Sequence, residues 1–155
     1  MAKVTREKEM NVPVRYLARA ITEFEAYPKF LPEVVSVSRV PGGTAERQKV
    51  VFELEVVKRF SYTLEFWIQG HEEISWHLDG SNFFKVNEGK WRLRAVDENR
   101  TYVNYEVEVG FGFFVPGWIT RKLTEVNLPK MMDSFEGRAK TVMKDKSDKG
   151  DEESR

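Results

Sequence analysis

The chain has 155 residues, with 25 Lys plus Arg and 25 Asp plus Glu, so its formal net charge is zero. This length suits one domain, and a neutral chain has no long-range attraction to nucleic acid or to an anionic membrane. The sequence contains no cysteine, which excludes disulfides, thiolate nucleophiles and cysteine-ligated metal sites.

The beginning of the chain predicts one strand followed by two short helices. Val4–Met10 alternates weakly between apolar and polar side chains, as strands do. Asn11, a common N-cap residue, and Pro13 predict that a helix starts there. Four apolar residues then recur at helical spacing on one face: Val14, Leu17, Ala18 and Ile21. The segment 27–32 contains two prolines and predicts a second, very short helix.

From Val34 onward, apolar residues recur at every second position, which is the pattern of strands with one buried face. Turn residues separate five such segments. This alternation predicts an antiparallel sheet with one face on the core and the other in solvent. The residues expected to point inward are Phe52, Leu54, Tyr62, Leu64, Phe66, Trp76, Trp91 and Tyr105. Glu53, Glu65 and Glu106 fall on the opposite face, and we expect them to be exposed rather than to form an acid–base array.

A long helix is predicted over about 116–143, because apolar residues return to a helical period there. Its apolar stripe includes Leu123, Met131 and Phe135. Pro129 lies inside this helix, where it removes one backbone hydrogen bond and is expected to bend the axis. Residues 144–155 are charged and lack large apolar side chains, so we expect a disordered tail after a single domain spanning residues 1–143.

The order of these elements predicts an α+β fold in which a curved antiparallel sheet of six to seven strands wraps around the long C-terminal helix. One helix cannot fill the hollow of such a sheet, so the inward side chains should line a cavity, together with Leu123, Met131 and Phe135 of the helix. The aromatic run 111–118 joins the last strand to this helix. We interpret Phe113, Phe114 and Trp118 as a gate over the cavity or a contact with membrane or partner; the alternative is an ordinary packed connection.

Three segments carry a family pattern: the Tyr-Pro-Lys-Phe-Leu-Pro sequence at 27–32, Gly89–Leu93, and Met131–Ala139. Together they resemble the START-like polyketide cyclase/dehydrase family over about residues 3–143. The first segment is similar to the branch that contains the coenzyme Q-binding proteins and the bacterial ribosome-association toxin. Many members of that branch have an aromatic residue and a cysteine after the second proline, whereas this chain has Glu33 and Val34. The resemblance implies a helix-grip fold with an internal hydrophobic cavity for a lipid, isoprenoid quinone, sterol-like or polyketide ligand.

The residues themselves show no catalytic or metal-binding pattern. His71 and His77 lack the third and fourth ligands that a metal site needs, and the sequence has no nucleophile elbow or phosphate-binding loop. Tyr62 and Tyr105 are polar residues of the inward face, and we interpret them as groups that orient a ligand. The alternative is that each hydroxyl bonds to the backbone or to solvent at the cavity mouth.

The preferred interpretation is a non-catalytic protein that binds or transports a hydrophobic small molecule. One alternative is an enzyme of the polyketide cyclase or aromatase type, in which a tyrosine or a carboxylate moves protons. The other is a module that binds the ribosome or a protein, as the resemblance to the toxin implies. We expect no metal and no other cofactor, allow transient membrane contact, and expect a cytoplasmic location because no signal peptide or membrane-spanning run occurs.

Overall fold

The structure is a computed structural model, and it describes residues 2–55, 59–81, 83–111 and 116–153. Within these residues the chain forms seven strands: β1 (Ala2–Met10), β2 (Val34–Arg39), β3 (Arg47–Glu55), β4 (Arg59–Gln69), β5 (Glu73–Ser81), β6 (Phe84–Asp97) and β7 (Arg100–Phe111). The helical elements are α1 (Val14–Thr22), a 3₁₀ helix (Phe24–Lys29), α2 (Gly117–Arg121), a π-helical segment (Lys122–Asn127) and α3 (Leu128–Glu153).

All seven strands belong to one antiparallel sheet with the order β1-β7-β6-β5-β4-β3-β2. Strands β2 to β7 follow one another as a meander, and β1 pairs with β7 at the far edge. The pairing register shifts within β2–β3, β4–β5 and β6–β7. Bulges of this kind bend a strand and increase its twist. They therefore help the sheet to curve, and the predicted α+β helix-grip arrangement is confirmed.

The predicted phase of the strands is also confirmed. Seven of the eight side chains expected inward are buried, and Leu54 is half-buried. They share one core with α1, the 3₁₀ helix and α3, where Phe135 of α3 is 2% exposed. A helix laid against the concave face of a curved sheet buries apolar side chains from both elements, which is the main favourable term in folding.

The expectation that Glu65 is exposed is wrong. Glu65 lies on the outer face of β4 but is only 3% exposed. The Arg47 guanidinium on β3 lies 2.5 Å from the Glu65 carboxylate, and Lys49 lies 3.9 Å away. These long side chains cover the carboxylate and supply its counter-charge, which a buried carboxylate requires. Glu53 and Glu106 are on the same outer face and are half-buried.

The N-terminal helices differ from the predictions in detail. Pro13, not Asn11, occupies the N-cap of α1. The backbone N–H of Asn11 instead donates a hydrogen bond of 3.0 Å to Glu136 Oε2 of α3. The second helix is of the 3₁₀ type and begins at Phe24, earlier than predicted. A distant carboxylate thus provides a partner for the Asn11 N–H, which could not be found from local sequence.

The long C-terminal helix is interrupted rather than simply bent. Pro129 has no N–H, and its ring would collide with the carbonyl of the residue four positions earlier in a regular α-helix. The π-helical segment Lys122–Asn127 lies immediately before this position and is flanked by α2 and α3. The wider π turn accommodates a proline where a continuous α-helix would not.

The charged segment at the end of α3 is helical to Glu153, whereas its composition predicted disorder. Lys144, Asp145 and Lys146 are exposed. Adding a turn to an existing helix avoids the cost of nucleation, so helix can continue without tertiary contacts. Among the described residues, no helix is both long enough and apolar enough to cross a membrane.

Candidate functional site

A cavity of about 260 Å³ lies between the concave face of the sheet and α3. Most of its surface is apolar because the inward positions of all seven strands and one face of the helix carry aromatic and aliphatic side chains. Ten of the eleven residues predicted to form the cavity are among those that line it: Phe52, Leu54, Tyr62, Leu64, Phe66, Trp76, Trp91, Tyr105, Met131 and Phe135. Whether these residues bind a ligand stays a prediction.

The other predicted site residues are placed differently or lie outside the described part. The side chain of Leu123 is not described, and neither are Phe113 and Phe114. Trp118 is 55% exposed at the start of α2 and does not line the cavity. The gate remains a prediction that the described residues do not decide.

Sequence reasoning missed eleven residues that line the cavity: Val4, Tyr27, Leu31, Glu33, Val34, Phe84, Asn87, Val107, Val109, Asn127 and Leu128. Val107 and Val109 share the phase of Tyr105 on β7, so the alternation alone indicated them. Asn87 was missed because the sequence pattern predicted a strand only from Gly89 onward, whereas β6 begins at Phe84. Glu33 immediately precedes β2, and Asn127 immediately precedes α3. These two elements come together only in the folded chain, so no local pattern indicated that the two residues line the cavity.

Four aromatic side chains, here called the aromatic wall, pack α3 against the rest of the domain: Tyr27, Phe30, Trp91 and Phe135. The Phe135 ring makes edge-on contacts with Tyr27, Phe30 and Trp91 at centroid distances of 5.1–5.2 Å. Such pairs add roughly 0.5–1.5 kcal/mol each beyond the buried area. These rings therefore help to fix α3 against the sheet and the 3₁₀ helix.

Trp76 and Asn87 form a buried polar contact on the cavity wall. The Trp76 Nε1–H donates a hydrogen bond of 3.0 Å to Asn87 Oδ1. Gly89 pairs with Trp76 across β5 and β6, and a Cβ at this position would lie 2.8 Å from the indole ring and 2.2 Å from the backbone oxygen of Glu106. Only glycine leaves room for the indole, which explains why the strand carries a glycine here.

Three buried tyrosines line the cavity, and they differ in their hydrogen bonds. The Tyr27 hydroxyl donates to the backbone oxygen of Ile21 at 2.5 Å. The structure records no hydrogen bond from the hydroxyls of Tyr62 or Tyr105 to any described residue. Burial raises the pKa of Tyr62 and of Tyr105 well above the ordinary tyrosine value, and the nearby Tyr105 raises that of Tyr62 further. All three phenols are therefore protonated at neutral pH and act as hydrogen-bond donors.

Charge is almost absent from the cavity wall. Among the described residues that line it, Glu33 alone is ionisable at neutral pH, and it is half-buried. No group of three or more His, Cys, Asp or Glu residues in the described part of the chain is arranged to hold a metal ion. The site can therefore bind apolar surface and offer neutral hydrogen bonds, with one carboxylate as its single proton-accepting group.

Solved structures with this fold include an enzyme and a lipid transfer protein. A START superfamily protein from Mycobacterium smegmatis matches with a TM-score of 0.77 and 17% identity over 90% of this chain and 98% of that chain. The Zhui aromatase/cyclase from Streptomyces sp. R1128 matches with a TM-score of 0.78 and 15% identity over 90% and 93%. A STAR-related lipid transfer protein from Xanthomonas axonopodis matches with a TM-score of 0.71 and 12% identity over 89% and 85%. At these identities the likeness shows the fold alone.

The sequence comparisons give the family but no individual counterpart. No curated protein sequence matches the chain. The family model for polyketide cyclase/dehydrase and lipid transport matches residues 10–136, which run from the end of β1 into α3 and so include most of the cavity wall. The chain therefore belongs to the polyketide cyclase/dehydrase and lipid transport family.

Proposed function

We propose that the protein binds and carries a hydrophobic small molecule in the cavity between the sheet and α3, without catalysing a reaction on it. The observation that carries this proposal is the cavity itself, an apolar space of about 260 Å³ with one charged group among the described residues of its wall. Burying roughly 200 Å² of apolar ligand surface at about 25 cal/mol per Å² contributes about 5 kcal/mol before the costs of association.

The size of the cavity favours a compact ligand. Pockets for drug-sized molecules usually have volumes of roughly 300–1,000 Å³, and this cavity lies just below that range. A two- or three-ring compound or a medium-length acyl chain suits this volume better than a lipid with two long chains. An isoprenoid quinone belongs to the same ligand class through its ring, and its tail would have to leave the cavity.

Cyclase or aromatase activity is the alternative that depends on Glu33. An enzyme of that type needs a group that accepts a proton from the substrate, and the protonated tyrosines cannot do so at neutral pH. Glu33 is the sole carboxylate among the described lining residues. Since a single carboxylate is a sparse set of proton acceptors, we favour carriage over catalysis. Binding to the ribosome or to a protein has no supporting feature in the cavity.

A direct test uses N-phenyl-1-naphthylamine, a neutral three-ring probe whose fluorescence increases in apolar surroundings. Wild-type protein is expected to increase the fluorescence of the probe in a saturable manner. Val107→Phe adds a ring to the cavity wall and should abolish binding while the protein stays folded. Val96→Phe is the matched control, because Val96 is 40% exposed, and it should bind like the wild type. No binding to wild-type protein, or equal binding to Val107→Phe, would contradict the proposal.

We propose further that Trp118, with Phe113 and Phe114, controls ligand entry and contacts a membrane transiently. The support is the 55% exposure of the Trp118 side chain at the start of α2, beside the exposed Arg121 and Lys122. Trp118→Ser should slow transfer of the same probe from phospholipid vesicles severalfold and leave the unfolding free energy almost unchanged. Phe66→Ala should instead cost about 3–5 kcal/mol of stability. Unaltered transfer by Trp118→Ser would eliminate the gate.

A further inference from the structure

Three buried polar side chains of the cavity wall have hydrogen-bonding capacity that no described residue uses. Asn87, Tyr62 and Tyr105, here called the cavity polar group, are 7%, 9% and 6% exposed and belong to three different strands. All three line the cavity. Buried polar side chains normally have partners within the protein, so this group differs from the rest of the core.

Asn87 presents its amide nitrogen to the cavity. Its Oδ1 already accepts the hydrogen bond from Trp76 Nε1, which fixes the orientation of the amide. No hydrogen bond from its Nδ2 to a described residue is recorded. Within the described part of the chain, no fully enclosed side-chain nitrogen or oxygen lacks a partner. The Asn87 nitrogen must therefore be reachable from the cavity, where it can donate two hydrogen bonds.

The same reasoning applies to Tyr62 and Tyr105. Their hydroxyls have no recorded partner among the described residues, in contrast to that of Tyr27, which bonds to Ile21 O. The Tyr105 ring lies 5.7 Å from the Trp76 ring, which joins it to the Asn87 side of the cavity, and the Tyr62 ring stacks on Phe52 at 5.3 Å. Each phenol can donate one hydrogen bond to a ligand and accept another.

The charge of the wall limits which ligand this group can accept. No Lys, Arg or His is among the described residues that line the cavity, and the one carboxylate, Glu33, is negative. A bound carboxylate would lose its hydration without gaining a counter-charge, which is costly. A ketone, quinone or alcohol oxygen loses far less hydration and can be satisfied by neutral donors.

We infer that the cavity polar group recognises a neutral oxygen, such as a ketone, on a ring-containing apolar ligand, and that the cavity discriminates against the corresponding carboxylate. This inference rests on the proposed carrier function and specifies its ligand class. The apolar wall supplies affinity, and Asn87, Tyr62 and Tyr105 supply selectivity and orientation. Free fatty acids are then poor ligands despite their apolar chains.

Three compounds of nearly identical shape separate the contribution of a neutral carbonyl oxygen to binding from the contributions of apolar contact and of negative charge. 2-Acetylnaphthalene carries a carbonyl, 2-isopropenylnaphthalene replaces its oxygen by a CH₂ group, and 2-naphthoate replaces the methyl group by an anionic oxygen. Isothermal titration calorimetry at neutral pH should show the acetyl compound binding at least about fivefold more tightly than the isopropenyl compound, as expected for one or two neutral hydrogen bonds. The naphthoate should bind most weakly of the three.

The double variant Tyr62→Phe, Tyr105→Phe removes the two hydroxyls and retains the rings. It should reduce the preference for the acetyl compound at least about threefold and leave affinity for the isopropenyl compound unchanged. Tyr102→Phe is the matched control, because Tyr102 lies on the outer face of β7, where its hydroxyl interacts with Glu7. It should retain the full preference.

The outcomes distinguish the two proposals. If none of the three compounds binds and the neutral fluorescent probe also fails, the carrier function is wrong. If all three bind with equal affinity, or the naphthoate binds most tightly, the carrier function stands and the inference about neutral oxygen is overturned. Full preference for the acetyl compound in the double variant would also overturn it.

Discussion

Single atoms decide the shape of the cavity wall at Gly89. A β-carbon at residue 89 would lie 2.8 Å from the Trp76 indole, and the same indole donates a hydrogen bond to Asn87 Oδ1. A side chain at residue 89 would therefore displace the indole and, with it, the N–H donor that orients the Asn87 amide. Gly89 thus determines the positions of the Trp76 indole and the Asn87 amide.

Gly89→Ala should therefore destabilise the fold by about 1–3 kcal/mol, the usual cost of overpacking a core, and shift the tryptophan emission. Denaturant unfolding followed by tryptophan fluorescence measures both effects. Gly80→Ala is the control, since a β-carbon at Gly80 would meet no atom within 4 Å. A Gly89→Ala protein as stable as the wild type would show that the strands can separate without penalty.

At the scale of elements, α3 is tied to β1 by charged side chains as well as by the aromatic wall. The Lys8 ammonium on β1 lies 2.6 Å from the carboxylates of both Asp133 and Glu136, and Lys140 lies 3.3 Å from Glu136. Glu136 also accepts the Asn11 N–H. Burial raises the pKa of Glu136, but the hydrogen bonds from Lys8, Asn11 and Lys140 together outweigh burial and hold it below its ordinary value.

This shift gives a pH dependence of stability. Because the pKa of Glu136 is lower in the folded chain than in the unfolded chain, its carboxylate stabilises the fold above about pH 4.5 and loses that contribution as the pH falls through the folded pKa. The stability difference between wild type and Glu136→Gln should therefore shrink as the pH is lowered below 4.5. Urea unfolding at a series of pH values measures it.

The neighbouring carboxylate provides a control for this experiment. Asp133 pairs with the same Lys8, but its side chain is 71% exposed. Exposed ion pairs contribute little to stability, so Asp133→Asn should change the unfolding free energy less than Glu136→Gln at neutral pH. A stability difference for Glu136→Gln that is independent of pH would contradict the assigned role of this carboxylate.

For the whole molecule, the sheet and α3 close one core, and the end of the helix extends beyond it. Met132, Phe135, Ala139 and Val142 of α3 are buried, whereas the residues that follow Met143 are exposed as far as their side chains are described. The last buried residue of α3 with a described side chain is Val142. The domain that folds cooperatively is therefore expected to span residues 1–143.

A chain that ends at Met143 should melt within about 2 °C of the full chain, because losing exposed charged residues changes stability little. A chain that ends at Lys130 lacks the buried side chains of Met132, Phe135, Ala139 and Val142 and should not fold. Circular dichroism melts of the two truncated chains and the full chain provide the comparison. A loss of several degrees on truncation at Met143 would mean that the tail docks on the domain.

The sequence by itself determined the fold class and ten of the 21 described residues of the cavity wall. Alternation of apolar and polar residues has a period of two in strands, so the burial of Phe52, Phe66 and Trp91 followed directly from their positions. The helical period after Pro116 placed Phe135 in the same core. These features depend on local periodicity. Each strand or helix needs one apolar face, so its periodicity can be recognised in the sequence.

Only the tertiary structure decided the polar details. The burial of Glu65 depends on Arg47 from a neighbouring strand, and the Asn11 N–H is satisfied by Glu136 from α3. The distinction between Tyr27, which bonds to Ile21, and Tyr62, whose hydroxyl has no partner among the described residues, likewise depends on which backbone oxygen lies within reach. Hydrogen bonds and ion pairs act over about 3 Å between residues far apart in sequence, so no periodic pattern encodes them.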